Sequence, residues 1–305
     1  MLKIFDVYLP IANMTVNGLE VVLIGLVVGF LAGLFGVGGG FLMTPILNVV
    51  LGIPMNVAVG SDLTQISATA TSGAIAHRKL GNVEPKLALM ILGGSVIGVQ
   101  VGVQLVNILK EKGLSGLVIK EVYVVMLTLI SLLILSESIK TLRAKRRGTL
   151  AADGGDTVSM GIGSKIQKIN ILSVHLPKAN INVPIFVPPF IGFIVGILAG
   201  IMGVGGGFIM VPALLYVIGV PTMVAVGTDL FQMMITAASG SIGHALSGNV
   251  DFVLVGLILT GSTIGAQFGA KASKRVGGPR LRFLFGIIVF GVAIKLLLTI
   301  LPQIR

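Results

Sequence analysis

Apolar residues gather into long runs broken by short polar joints, at about 19–35, 41–52, 54–76, 86–109 and 118–139, and again at 187–202, 208–219, 221–243, 252–271 and 283–301. Most of these runs are long enough to cross a bilayer as a helix, which takes about 20 apolar residues. The runs at 41–52 and 208–219 are too short to do so comfortably. Each follows a glycine cluster, Gly36–Gly40 or Gly203–Gly207. Glycines in an apolar context break a helix, and the freed backbone groups survive only where they face protein or water. The pattern therefore predicts that the first two pieces of each set form a broken, re-entrant hairpin.

The two sets are copies of one another. FGVGGGF at 35–41 returns as MGVGGGF at 202–208, an offset of 167 residues that needs no gap. The same offset carries Pro45 onto Pro212, Pro54 onto Pro221, AVGSDLTQ (58–65) onto AVGTDLFQ (225–232), SGAIAH (72–77) onto SGSIGH (239–244), and GSVIGVQVG (94–102) onto GSTIGAQFG (261–269). Roughly half the residues between Gly25 and Gly102 match their partners, which identifies an internal duplication. The expected organisation is an N-terminal interfacial segment (1–18), a first transmembrane repeat (19–140), a cytoplasmic linker (141–183) and a second repeat (184–305), with about five helical pieces per repeat.

Composition supports the membrane reading and narrows the chemistry. Of 305 residues 54% are hydrophobic and 11% charged, against about 25% charged in soluble domains; mean hydropathy is +1.04. The net charge of +11 sits in short segments beside apolar runs, as cytoplasmic loops require, so it does not indicate nucleic-acid binding. The absence of cysteine excludes disulfides and thiolate chemistry. Three histidines leave little for a metal site, and His175 reads as a solvated loop residue. No nucleophile–base pair appears, so an enzyme is disfavoured, and no cofactor or metal is implied. The opening MLKIFDVYLPIANMTVN has no long apolar stretch after Lys3 and does not read as a cleaved signal.

Charge also orients the repeats. Lys140, Arg143, Lys145, Arg146 and Arg147 place the end of the first repeat in the cytoplasm, as do Arg78, Lys79 and Lys86 for its third-to-fourth joint. In the second repeat the basic joint is instead the fourth-to-fifth (Lys271, Lys274, Arg275, Arg280, Arg282), while the equivalent first-repeat joint (Lys110, Glu111, Lys112, Lys120, Glu121) is nearly neutral. The third-to-fourth joint of the second repeat carries only Asp251. Opposite alternation predicts inverted-topology repeats with both termini outside. Within the linker, alternation around Lys165–Val174 predicts a short β-hairpin on the cytoplasmic face.

Asp62 and Asp229 are the acidic residues deep inside apolar runs, where a carboxylate costs about 2.5–3.5 kcal/mol to insert. At about 100° per residue Asp62, Gln65, Thr69 and Ser72 form one polar stripe, and Asp229, Gln232, Thr236 and Ser239 repeat it. Such a stripe must face protein or a water-filled cavity. Two readings of the aspartates stand: substrate or coupling sites, or carboxylates that cap helix N-termini or bond the opposite repeat's glycine turn, with Ser61 and Thr228 also able to cap. Gln65 and Gln232 can donate to an anion without burying a charge. The N–H groups of Gly38, Gly39, Gly40 and of Gly205, Gly206, Gly207, at the heads of the short pieces, complete a candidate anion site near the midplane. His77 and His244 end the third runs, as C-terminal caps or as proton carriers.

The paired glycine turns, the A-V-G-[ST]-D-L-x-Q strings, the downstream His and GNV (81–83, 248–250) and the basic central loop together resemble the TauE/SafE family of sulfite and organosulfur anion exporters. The resemblance spans the whole membrane portion. It implies a multi-pass inner (plasma) membrane transporter of small anions such as sulfite or sulfoacetate, with the lipid bilayer as its other partner. Nothing in the sequence specifies an oligomeric state. Proton- or Na⁺-coupled uptake of a related anion and a non-transporting binding or assembly module are the alternatives.

Overall fold

The computed structural model describes residues 5–35, 40–146, 172–276 and 279–304. A hairpin of β1 (Asp6–Leu9) and β2 (Met14–Asn17) leads into α1 (Gly18–Phe35), α2 (Gly40–Leu51), α3 (Met55–Lys79), α4 (Pro85–Glu111) and α5 (Ser115–Arg146). A second hairpin, β3 (Ser173–Leu176) and β4 (Ile181–Pro184), leads into α6 (Val187–Met202), α7 (Gly207–Ala213), α8 (Thr222–Leu246), α9 (Phe252–Val276) and α10 (Pro279–Ile304). One wider turn, Leu214–Ile218, closes α7. The helices α4, the first part of α5 and the first part of α9 are each long and apolar enough to cross a membrane. This is an all-α membrane protein with two small hairpins, and its internal helix pairing follows the duplication.

The hairpins extend the repeat beyond its helices. Asp6 pairs with Asn17 and Leu9 with Met14; Ser173 pairs with Pro184 and Leu176 with Ile181, the same register displaced by the 167-residue offset. The linker hairpin expected around Lys165–Val174 thus stands at 173–184, and 165–171 lie outside the described residues. The segment before the first span, expected to lie along the interface, is likewise a hairpin. In β1–β2 the buried Leu9 and Val16 replace a continuous apolar face, and the Asn17 side-chain carbonyl accepts from the N–H groups of Leu19 and Glu20 to start α1.

The chain divides into two compact units, Met1–Ala58 with Leu109–Gly155 and Asp251–Arg305, and Val59–Ile108 with Asp156–Val250. Neither unit is a repeat. The first takes α1, α2 and α5 from one copy and α9 and α10 from the other; the second takes most of α3 and α4 from one and α6, α7 and α8 from the other.

Glycine spacing explains this exchange. In the first unit Gly25, Gly29 and Gly33 of α1 lie against Ile258, Ser262 and Ala266 of α9, and Gly261, Gly265 and Gly269 of α9 lie against Val22, Leu26 and Phe30. In the second, Gly94, Gly98 and Gly102 of α4 meet Pro189, Phe193 and Ile197 of α6, while Gly192, Gly196 and Gly200 meet Ile91, Ser95 and Val99. Contacts step forward together along both partners, so each pair runs parallel. Small residues every fourth position let backbones touch, which in lipid supplies packing that the hydrophobic effect cannot.

Candidate functional site

The candidate site is built in the second unit where α3 crosses α8. Leu63 meets Gly240, Thr64 Oγ1 lies 2.6 Å from Ser241 Oγ, and Gly73 meets Leu230. As one helix advances its partner retreats, so α3 and α8, which the repeat makes equivalent, run antiparallel. Leu63 and Leu230 are repeat partners, as are Gly73 and Gly240, so one contact is the image of the other. The crossing therefore falls near Ala68 and Ile235. At 1.5 Å per residue, Gln65 and Gln232 are separated by about 9 Å along the helices and Asp62 and Asp229 by about 18 Å. The glutamines and Thr69 and Thr236 flank the crossing; the aspartates stand on opposite sides of it.

The glycine turn of the second repeat reaches this crossing. Gly203, Gly205 and Gly206 hold φ of 77°, 66° and 87°, conformations that cost a side-chain-bearing residue. Gly205 packs between the repeat partners Ile66 and Met233, and Gly206 lies against Val195 and Ala199 of α6. The chain thus folds back against α6 at this turn. In the first repeat Gly38 and Gly39 lie outside the described residues, while Gly40 opens α2 and is buried.

The polar stripe of α8 is a connected network. Gln232 Nε2 donates to Asp229 Oδ1 at 2.8 Å, and Gln232 Oε1 accepts from Thr236 Oγ1 at 3.0 Å and from Ser95 Oγ at 3.3 Å. Ser95 and Thr236 hydroxyls are 2.8 Å apart. Ser239 accepts from Gln100 Nε2 through both its carbonyl and its hydroxyl. Asp229 Oδ2 stands 2.8 Å from where a Cβ on Gly207 would be. That places the carboxylate beside the glycine turn of its own repeat. In α3 the stripe is laid out differently: Asp62 and Gln65 are buried, Thr69 Oγ1 donates back to the carbonyls of Gln65 and Ile66, and Ser72 is exposed.

Ser95 and Gln100 were not among the sequence candidates. The signal was present, since both sit in the duplicated GSxIGxQxG string, but a string names no partner. The structure supplies it, because α4 lays this string along the stripe of α8. The GNV strings also acquire a reason. Gly60 of α3 packs on the Asn249 carbonyl and Gly227 of α8 on that of Asn82, so the glycine of each A-V-G-[ST]-D string seats the GNV loop of the other repeat. Ser61 is buried beside Gly60, and Thr228 beside Gly227 accepts from the Glu84 N–H at 3.0 Å.

His244 is fully buried and bonds the Gly200 carbonyl at 2.9 Å. A carbonyl only accepts, so Nε2 carries the proton and Nδ1 faces the Asn249 amide at 3.5 Å. It thereby gives an acceptor in the last turn of α6 a donor that the helix itself cannot supply. His77, half-buried, faces Asn82 at 3.5 Å.

The family description "Sulfite exporter TauE/SafE" matches residues 21–296. The chain belongs to the TauE/SafE family. Relatives in this family include the probable membrane transporter proteins YjnA and YunE of Bacillus subtilis (strain 168), 27% and 24% identical, covering 91% and 90% of this chain and 99% and 96% of their own. MJ0441 of Methanocaldococcus jannaschii, also named a probable membrane transporter protein, is 23% identical over 91% of this chain and 94% of its own. No solved structure matches the chain. As a TauE/SafE protein it is a multi-pass membrane transporter and not an enzyme, and among the described residues no group of three His, Asp or Glu is placed to hold a metal ion.

Proposed function

We propose that the protein exports small sulfur-containing anions, sulfite, sulfoacetate or their like, across the inner (plasma) membrane by alternating access between two inverted repeats. The observation that carries this reading is the antiparallel crossing of the equivalent helices α3 and α8, each bearing the same polar stripe. A two-fold axis through such a crossing exchanges the two sides of the membrane, which is the symmetry alternating access uses. The parallel pairing of α1 with α9 and of α4 with α6 supports the same inversion, since a first helix and a fourth helix of one orientation would oppose each other after a re-entrant hairpin.

The anion site we assign to Gln65 and Gln232 with the backbone of Gly205–Gly207. These offer donors without fixed positive charge, and the Ser95 and Thr236 hydroxyls bond Gln232 Oε1. Gln232 Nε2 spends one N–H on Asp229, and the second turns to the anion once α8 parts from α4 and frees the Oε1 that Ser95 holds. An inside-negative potential favours export of a dianion by about 2.3 kcal/mol per charge per 100 mV, so no coupling ion is needed. Efflux of labelled sulfite from loaded proteoliposomes under an imposed potential tests this. Flux no faster than from protein-free vesicles would end the reading.

Inversion has its own test. Cysteines introduced into this cysteine-free chain at 110–121 and at 271–282 are expected to label from opposite faces, and labelling from one face would defeat it.

The contact between Asp229 and Gln232 favours a second reading, in which the aspartates bind a proton or Na⁺ for coupled uptake. The two separate cleanly. On the export reading Asp62→Asn and Asp229→Asn keep shape and most hydrogen bonding, and retain potential-driven flux within about threefold. Abolished flux in a stably folded variant, with proton-driven accumulation by the parent, would make the carboxylates coupling sites.

A further inference from the structure

We propose that Glu84 and Asp251 are positioning residues of the transport cycle, each latching one β-hairpin to the head of the helix it precedes. The inference rests on the transport reading above and adds two residues to it, neither of which belongs to the polar stripes.

Glu84 precedes α4 and is 1% exposed; its Oε2 accepts from the backbone N–H of Lys178, in the turn of the β3–β4 hairpin, at 2.8 Å. Asp251 precedes α9 and is also 1% exposed; its Oδ2 accepts from the backbone N–H of Ile11, in the turn of the β1–β2 hairpin, at 2.9 Å. Glu84 and Asp251 are repeat partners, and so are Lys178 and Ile11. The same bond is thus made twice, each time between a hairpin of one repeat and a carboxylate of the other. It survives Glu becoming Asp and Lys becoming Ile because the donor is main chain.

Burying a carboxylate to hold a turn is costly unless its bonds are needed. Asp251 has a second task, since its Oδ1 caps α9 through the N–H groups of Val253 and Leu254. Among the described residues Glu84 makes no such cap. Its backbone N–H instead donates to Thr228 Oγ1, and Thr228 is followed by Asp229, the partner of Gln232. The second hairpin is therefore tied to the candidate site by one latch bond, one backbone bond and one peptide link. The hairpin also rests Leu176 and Val183 on Leu87 and Ile91 of α4, and Lys178 Nζ donates to the Gly81 carbonyl at 2.7 Å. When α8 parts from α4 to expose Gln232, the Glu84 N–H bond to Thr228 opens, and because Leu176 and Val183 share one buried cluster with Ala225 of α8 the hairpin moves with α8 and the latch opens too.

Hydrogen exchange and a reversible cross-link test the idea together. Glu84→Ala is expected to speed amide exchange in peptides covering 172–186 by at least fivefold and to leave 5–17 unchanged, with Asp251→Ala giving the reverse and Glu84→Gln, which keeps an acceptor, recovering much of the protection. Unchanged exchange in both alanine variants would overturn the latch. In the second arm, Lys178→Cys and Leu80→Cys are joined by a short cleavable dithiol reagent. Sulfite flux is expected to fall at least tenfold and to return on cleavage; full flux through quantitatively cross-linked protein would overturn the gating role even where the latch exists. Absence of flux in the untreated cysteine-free parent would count against the transport reading instead, and exchange alone then decides whether the carboxylates hold the hairpins.

Discussion

Replacing Gln232 by leucine is expected to weaken binding of sulfite to the purified protein by between ten- and a hundredfold, and to cut flux to match, while the protein stays folded. A hydrogen bond to a charged group is worth about 1.5–3 kcal/mol, which sets that range. Leucine has nearly the same bulk, and Ser95 and Thr236 keep their own bond at 2.8 Å, so the apolar replacement leaves few groups stranded. Asp229 loses the donor at its Oδ1, and a modest fall in thermal stability accompanies the change. Gln65→Leu is expected to behave alike. Isothermal titration with sulfite, read beside a melting curve, checks both, and unchanged affinity in the two variants removes the glutamines from the site.

Gly196→Leu is expected to have the largest effect on folding. A Cβ at this position would stand 2.5 Å from the Ser95 carbonyl oxygen and 2.9 Å from its Cα, and backbone cannot swing aside as a side chain can. The two helices would have to separate along their whole glycine seam, losing the packing that joins the repeats. Yield of monodisperse protein in detergent should fall several-fold. Gly93→Leu, on the facing helix α4 with nothing within 4 Å, is the control and should be tolerated. Equal behaviour of the two variants would refute the seam.

The candidate site was half legible in the sequence. Periodicity put Asp229, Gln232, Thr236 and Ser239 on one face, and burial confirms that the first three face protein. What the stripe touches was not legible, because helical spacing relates residues of one helix and is silent about its neighbour. Ser95 and Gln100 are therefore found only once α4 is set beside α8. The contact of Asp229 with the Gly207 turn was not legible for the same reason: a turn from either repeat satisfies the local pattern, and only the tertiary structure sets Gly207 beside it.

By itself the sequence determined the membrane class, the helix break at Gly203–Gly207 and the duplication, because each of these is written in local composition or in a linear offset. Hydrophobic length against bilayer thickness decides a span whatever packs beside it. Tertiary structure alone decided that the repeats exchange helices, that a GNV loop seats on the other repeat's glycine, and that buried carboxylates hold hairpin turns 94 and 240 residues away. Inside lipid an apolar face and a glycine seam look alike in one sequence, since both avoid charge. Only close approach of a particular backbone tells them apart, and that is a property of pairs of helices distant along the chain.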